Sequence, residues 1–361
     1  MIRRTASSLL RVVPRFAACF LLWSATAWLP SVAPTAWAAT GEPSSERPLR
    51  VVATLGVLAD LASELGGELV EVDLLADPRQ DPHFVQARPT LMKKARRADI
   101  FLEFGLALDL WADRVIEGSG NTSIQRGSPG LVTVASGLAA LEVPAVVSRA
   151  AGDVHPQGNP HAWLDPANVR LLAGNIAAGF ARVAPDKSAI WKRRLEAFLQ
   201  RLDLALFGQE LTRRVGGAKL ARLARDGELR RYLKDKSLLG AAGGWLEKAR
   251  PLRGKVAVSY HSTWSYFARR FGLIIPLHVE EKPGIPPSAK HRDRVVELVR
   301  DHQGSLLLMA GYYERSAIDF VARHTGAKVV ELPVQPGASE GVESYFELMD
   351  YIISSLVEAV G

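Results

Sequence analysis

The chain has 361 residues, 48% hydrophobic and 23% charged, which is material for two domains with ample cores and too apolar for a disordered chain. Its formal charge of +7 falls to about +3 when residues 1–39, which hold four arginines and no acid, are set aside, so the basic balance gives no ground for nucleic-acid binding. The single cysteine, Cys19, lies in that same stretch, which excludes disulfides and a cysteine nucleophile from the remainder and leaves histidine and oxygen as donors for any metal.

Arg3, Arg4, Arg11 and Arg15 precede the apolar run Phe16 to Trp23, continued by Ala25 to Leu29, and Ala36-Trp37-Ala38 has the small residues a signal peptidase cuts after. Residues 1–39 therefore read as a cleavable secretory signal peptide. A membrane anchor is the alternative, and Ser24 and Pro30 break the run too early for a span. Residues 40–48 read as a loose, proline-bearing leader.

Structure is expected from Leu49, with a strand to Leu55, a helix over Val57 to Leu65 stopped by Gly66-Gly67, and a second strand over Val70 to Leu75. This β-α-β unit delivers Asp81-Pro82-His83 to the following loop. A helix over Pro89 to Ala98, a strand over Ile100 to Phe104, a helix over Leu108 to Glu117 and a strand over Leu131 to Val134 come next. The alternation predicts a parallel sheet with its site at the carboxyl ends of the strands. The glycine-bearing loop from Ser148 leads through His155 to Asn159-Pro160-His161-Ala162-Trp163-Leu164-Asp165-Pro166. His155 reads as a solvent-facing loop residue, with weak recruitment of metal as its alternative.

A helix follows over Ala167 to Val183, and Pro185-Asp186 opens another, in which Trp191, Leu195, Phe198, Leu202 and Ala205 recur at helical spacing to about Leu211. That helix is either a strut between two α/β regions or a core helix of one. Residues 218–253 read as a solvated, basic helical insertion, since Asp226, Glu228, Asp235 and Glu247 interrupt its charge and no aromatic ladder accompanies it. The second α/β region is expected as strands over Lys255 to Ser259, Leu273 to Val279, Ser305 to Met309 and Lys328 to Leu332. Its helices are expected over Thr263 to Arg270, Arg292 to His302, Arg315 to Thr325 and Tyr345 to Val360. Residues 280–288 are too proline-rich for regular structure.

His83 and His161 each follow a proline that holds the backbone out of helix, and His261 ends the apolar run Val256-Ala257-Val258. Three histidines on three separate loops suggest a metal cage. These motifs, continuing through Phe104-Gly105-Leu106, Tyr266-Phe267, Phe271-Gly272 and Pro283-Gly284-Ile285-Pro286-Pro287-Ser288, resemble the metal-specific (zinc/manganese) periplasmic solute-binding proteins of ABC transporters, the cluster A-I type. The resemblance covers nearly all of the chain after the leader.

It implies an α/β fold of two lobes, each a mostly parallel sheet flanked by helices, joined by one long rigid interlobe helix with the metal in the cleft between. The expected divisions are an N-terminal lobe over 49–185, the interlobe helix over 186–211, the basic insertion over 212–254 and a C-terminal lobe over 255–361. His83, His161 and His261 would be the ligands. The acidic fourth ligand of many such proteins has no counterpart in Leu332-Pro333-Val334-Gln335-Pro336-Gly337, which leaves water, Glu281, Glu314, Glu340 or Glu343 for that role.

Three imidazoles suit Zn²⁺, and Mn²⁺ would be better served by more oxygen ligands, although copper, nickel or iron would also accept them. Asp165 and Asp81 are candidate acceptors for the rings' second N–H, with capping of helix or turn as their alternative role. The expected function is capture of a divalent ion by a monomeric periplasmic protein and its delivery to an ABC-type membrane permease. The rivals are a zinc-dependent hydrolase, for which no His-Glu-x-x-His pair is present, and an adhesin or sensor on the same fold.

Overall fold

The structure, a computed structural model, describes residues 47–145 and 155–361. The stretch read as a signal peptide, nearly all of the stretch read as a leader, and the part of the glycine-bearing loop over 146–154 lie outside the described residues. Among those residues no helix is long and apolar enough to cross a membrane.

The N-terminal half builds β1 (Leu49–Ala53), α1 (Gly56–Gly66), β2 (Val70–Leu74), α2 (Pro89–Ala95), β3 (Ile100–Glu103), α3 (Trp111–Ser119) and β4 (Leu131–Thr133). All pairings are parallel, in the order β2-β1-β3-β4. Parallel neighbours demand a crossover, and α1 and α3, with buried stripes Leu58/Leu61/Leu65 and Trp111/Ala112/Val115, supply cover for the sheet.

The chain then forms α4 (Pro166–Val183) and α5 (Ser188–Phe207). The long helix expected to run on to Leu211 is interrupted at Gly208, and α6 (Gln209–Val215) restarts it. Gly208 sits at φ +79, and a Cβ there would lie 2.6 Å from the Cα of Gly243, so the break is fixed by a backbone approach that only glycine permits.

Residues 217–252 form α7 (Gly217–Arg225), α8 (Leu229–Asp235) and α9 (Gly244–Lys248). They are less solvated than their composition suggests. Leu220, Ala221, Ala224, Leu229, Leu233, Trp245 and Leu252 are buried in the main core, and Trp245 Nε1 and Lys248 Nζ both reach Asp350, at 3.1 and 2.7 Å. The basic residues occupy the outer side of helices whose inner side is apolar.

The C-terminal half contains β5 (Ala257–Ser259), α10 (Ser265–Phe271), α11 (Ala289–Asp301), β6 (Leu306–Met309), α12 (Arg315–Thr325), β7 (Lys328–Glu331) and α13 (Tyr345–Val360). Its strands run parallel in the order β5-β6-β7. The strand expected over Leu273 to Val279 reduces to two isolated bridges, Val256 to Ile274 and Ser259 to His278. Pro276 lies between them and has no N–H to give to a ladder.

The two sheets are the centres of two lobes. One buried cluster joins them, running from Val51 and Leu102 through Leu172, Ile176, Leu202 and Leu206 of α4 and α5 to Leu308, Leu348 and Ile352.

Candidate metal centre

Each of the three proline- or strand-linked histidines is held by its own loop. Pro82 presents its carbonyl to the indole N–H of Trp111 at 2.9 Å, which ties the His83 loop to α3. His161 precedes a single 3-10 turn, Ala162–Leu164, whose Trp163 is fully buried against Phe104 and donates Nε1–H to the Val334 carbonyl at 2.7 Å. His261 lies two residues past the end of β5, and its carbonyl accepts the Ser259 hydroxyl at 2.6 Å.

These loops bring the rings to one point at the boundary of the lobes. Ring centroids stand 5.3 Å apart for His83 and His161, 5.5 Å for His83 and His261, and 5.3 Å for His161 and His261. One nitrogen from each ring lies within 4.8 Å of the others.

The tautomer of every ring is set by an acceptor on its outer nitrogen. His83 Nδ1–H donates to Asp81 at 2.6 Å, His261 Nδ1–H to Glu280 at 2.9 Å, and His161 Nδ1–H to the Asn159 side-chain oxygen at 2.9 Å. The orientation of the Asn159 amide is fixed chemically, since its Nδ2 donates to the Glu142 carboxylate at 2.8 Å and to the Ser262 carbonyl at 2.7 Å, groups that only accept. With each proton on Nδ1, the three Nε2 atoms carry lone pairs towards one another. Those of His161 and His261 are buried with no hydrogen-bond partner. Buried lone pairs without a donor cost free energy, and these two, with the Nε2 of His83 beside them, make the donor set of a nitrogen-preferring cation.

Burial, reinforced by the neighbouring imidazoles, holds His161 neutral well below the ordinary histidine range. His155 is pushed down to about 4, chiefly by burial and then by His83 and His261. Burial would raise the carboxyl of Asp81, but the hydrogen bond and charge of His83 outweigh it and keep it below the usual range. Burial thus holds His161 in the neutral form in which imidazole ligates, and Asp81 stays ionised behind His83.

Several expectations need correction. His155 is not a solvent-facing loop residue: it is buried, and its Nε2 stands 3.1 Å from Nε2 of His83. Asp165 serves no ring. Its carboxylate caps α4 by accepting Ala167 N–H at 3.0 Å and forms a two-pronged buried pair with Arg270, both contacts at 2.7 Å. Among the described residues the clustered donors are His83, His161 and His261, and none of Glu281, Glu314, Glu340 and Glu343 joins them. Glu281 pairs with Arg294 at 3.1 Å, Glu314 caps α12, and Glu340 and Glu343 are exposed.

Glu280 and Asn159 are the ring acceptors that sequence reasoning passed over. Asn159 sat in the motif without a role. Glu280 is visible only once the 273–279 segment runs alongside β5, where Glu280 N–H bonds to the Tyr260 carbonyl at 2.9 Å.

The chain matches the family described as ZnuA, zinc-uptake complex component A periplasmic, over residues 51–212 and 241–359. It is similar to the iron-binding protein YfeA of Yersinia pestis, 23% identical over 339 residues that span 92% of this chain and 93% of that one. It is also similar to the manganese ABC transporter substrate-binding lipoprotein PsaA of Streptococcus anginosus, 22% identical over 328 residues, 88% of this chain and 91% of that one. A crystal structure of ZnuA shares the fold, with a TM-score of 0.65 at 19% identity over 87% of this chain and 100% of that chain.

Proposed function

The chain belongs to the ZnuA family of metal-binding, substrate-binding proteins of ABC transporters, and from that premise we propose that it captures Zn²⁺ on His83, His161 and His261 and delivers it to an ABC-type permease. The observation that carries the reading is the convergence of three Nε2 atoms whose rings are each fixed by an acceptor on Nδ1. An all-imidazole set favours zinc over manganese, which seeks carboxylate and water oxygens. Relatives named for iron and manganese show that the family's cargo varies, so the assignment to zinc rests on the donors in this chain.

Capture requires only that the ion shed water and meet lone pairs already aimed at it. The acceptors on Nδ1 keep the rings from turning and raise their basicity. Family members are substrate-binding transport proteins rather than enzymes, which supports a reading of capture without turnover. In this reading residues 1–39 direct export, the mature protein works as a monomer in the periplasm, and the lobes divide at 49–185 and 255–361 about the helix at 186–211, with 212–254 as the insertion.

The test is competitive titration of the chelator-stripped protein with Zn²⁺, Mn²⁺ and Fe²⁺ against a chromophoric chelator. One Zn²⁺ per chain, bound more tightly than Mn²⁺ and lost in His161→Ala, is expected. Wild-type stoichiometry and strength in His83→Ala, His161→Ala and His261→Ala alike would place the metal elsewhere.

A further inference from the structure

We propose that His155 is a fourth imidazole ligand, so that the ion is held by four nitrogens and no carboxylate, and that this shell is what discriminates against manganese. The inference rests on the reading of His83, His161 and His261 as a metal site and deepens it.

Geometry comes first. In a tetrahedral zinc shell with Zn–N bonds of about 2.0 to 2.1 Å, neighbouring donor atoms stand about 3.3 Å apart. Nε2 of His155 is 3.1 Å from Nε2 of His83, already close to the length of one edge of that tetrahedron. The ring centroid of His155 is 5.1 Å from His83 and 6.5 Å from His161, against 5.3 to 5.5 Å among the other three, so His155 joins the shell by moving inward towards His161.

Chemistry points the same way. His83 donates Nδ1–H to Asp81, so its Nε2 is bare and the 3.1 Å contact must be donated by Nε2–H of His155. When the ion takes the His83 lone pair, that hydrogen bond is lost. His155 then becomes a ligand by giving up its Nε2 proton and taking one at Nδ1, a change of tautomer with no net change in charge.

The residue is also built in. Gly158 N–H closes a turn on the His155 carbonyl at 3.0 Å, and Gly158 adopts φ +101 with no room for a Cβ, which would lie 2.6 Å from the Leu141 carbonyl oxygen. The nearby acids are committed elsewhere, Asp81 and Glu280 to ring N–H groups. Gln335, in the segment after β7, uses its side-chain oxygen to accept Val57 N–H at 2.9 Å.

X-ray absorption on the zinc-loaded wild type, with the visible spectrum of the Co²⁺ form, counts the imidazoles directly. Four are expected, and three with an oxygen overturns the inference whatever the variants do. In His155→Ala, zinc affinity should fall about 10- to 100-fold with manganese affinity changed much less, narrowing the zinc-to-manganese ratio accordingly. Unchanged zinc affinity in His155→Ala beside a lost site in His161→Ala defeats the role of His155 alone. Unchanged affinity in both variants defeats the metal-site reading itself.

Discussion

At the three-histidine corner the polar side chains are few, buried and individually partnered, whereas in residues 213–240, the stretch that the family match leaves out, they are many, exposed and paired along their own helices. Arg213 and Arg214 both answer Glu210 one turn away, and Arg231 answers Glu228. Such pairs lie in high dielectric and compete with water, so they hold little in place. His83, His161 and His261 are each backed by one acceptor that nothing else near it can replace. Charge density alone thus points away from the histidine cluster, and partnered burial points to it.

The contrast can be broken most sharply at Asp165 and Arg270, which share the corner but not the ion. Their side chains are 4% and 5% exposed, and Arg270 also donates to the Ala224 carbonyl at 2.7 Å. Asp165→Ala strands a guanidinium in the interior and should cost about 3–5 kcal/mol in a urea titration. A loss below about 1 kcal/mol would mean that water reaches the pair.

His161→Ala comes next. If the roughly 10–16 kcal/mol typical of structural zinc is shared by the ligands, one ring is worth about 3 kcal/mol, a hundredfold or more in the titration of the stripped protein. Equal affinity in variant and wild type would remove the ring from the shell.

Glu280→Gln sharpens the comparison because Glu281 is its built-in control. Replacing the carboxylate behind His261 by a neutral, weaker acceptor should weaken zinc binding about 10- to 100-fold, and Glu281→Gln should leave it unchanged. Equal effects in the two variants would show a general field rather than a specific bond.

Asp60 tests what partial partnering does. It accepts Tyr345 N–H at 2.9 Å, yet burial outweighs that bond and, with Glu64 and Glu347 nearby, pushes its carboxyl up to about 6. The folded protein then holds this proton more firmly than the unfolded chain, so stability is lost as pH rises from the ordinary carboxyl range through about 6. Asp60→Asn should flatten that slope, gaining about 1–2 kcal/mol on wild type between about pH 4 and pH 7 in thermal melts. A constant difference across that range would refute the shift. Smallest of all, Arg214→Ala should move stability by less than about 0.5 kcal/mol, and a larger change would show that the exposed pairs matter after all.

Much of this was legible before any coordinates. Helices α12 and α13 begin and end where the sequence places them, because Glu314 and the Ser344/Glu347 capping box mark their starts and Gly326 stops the first in a left-handed turn. The histidines stood out because two follow prolines and the third ends a buried strand. What was hidden depends on residues distant in the chain. The break at Gly208 requires Gly243, and the burial of His155 requires His83, 72 positions away. Likewise, Asp165 looked equally able to orient a ring and to cap a helix until Arg270, 105 residues on, was seen to engage both of its oxygens.

The amide of Asn159 has one further consequence. Its oxygen fixes the proton on His161 while its nitrogen grips the Ser262 backbone, next to His261 and across the boundary of the lobes. Separation of the lobes would break the bond to Ser262 and leave the amide to Glu142 and His161 alone, loosening the side chain that orients the ring. Movement between the lobes and the set of the His161 ring are thereby coupled through a single side chain.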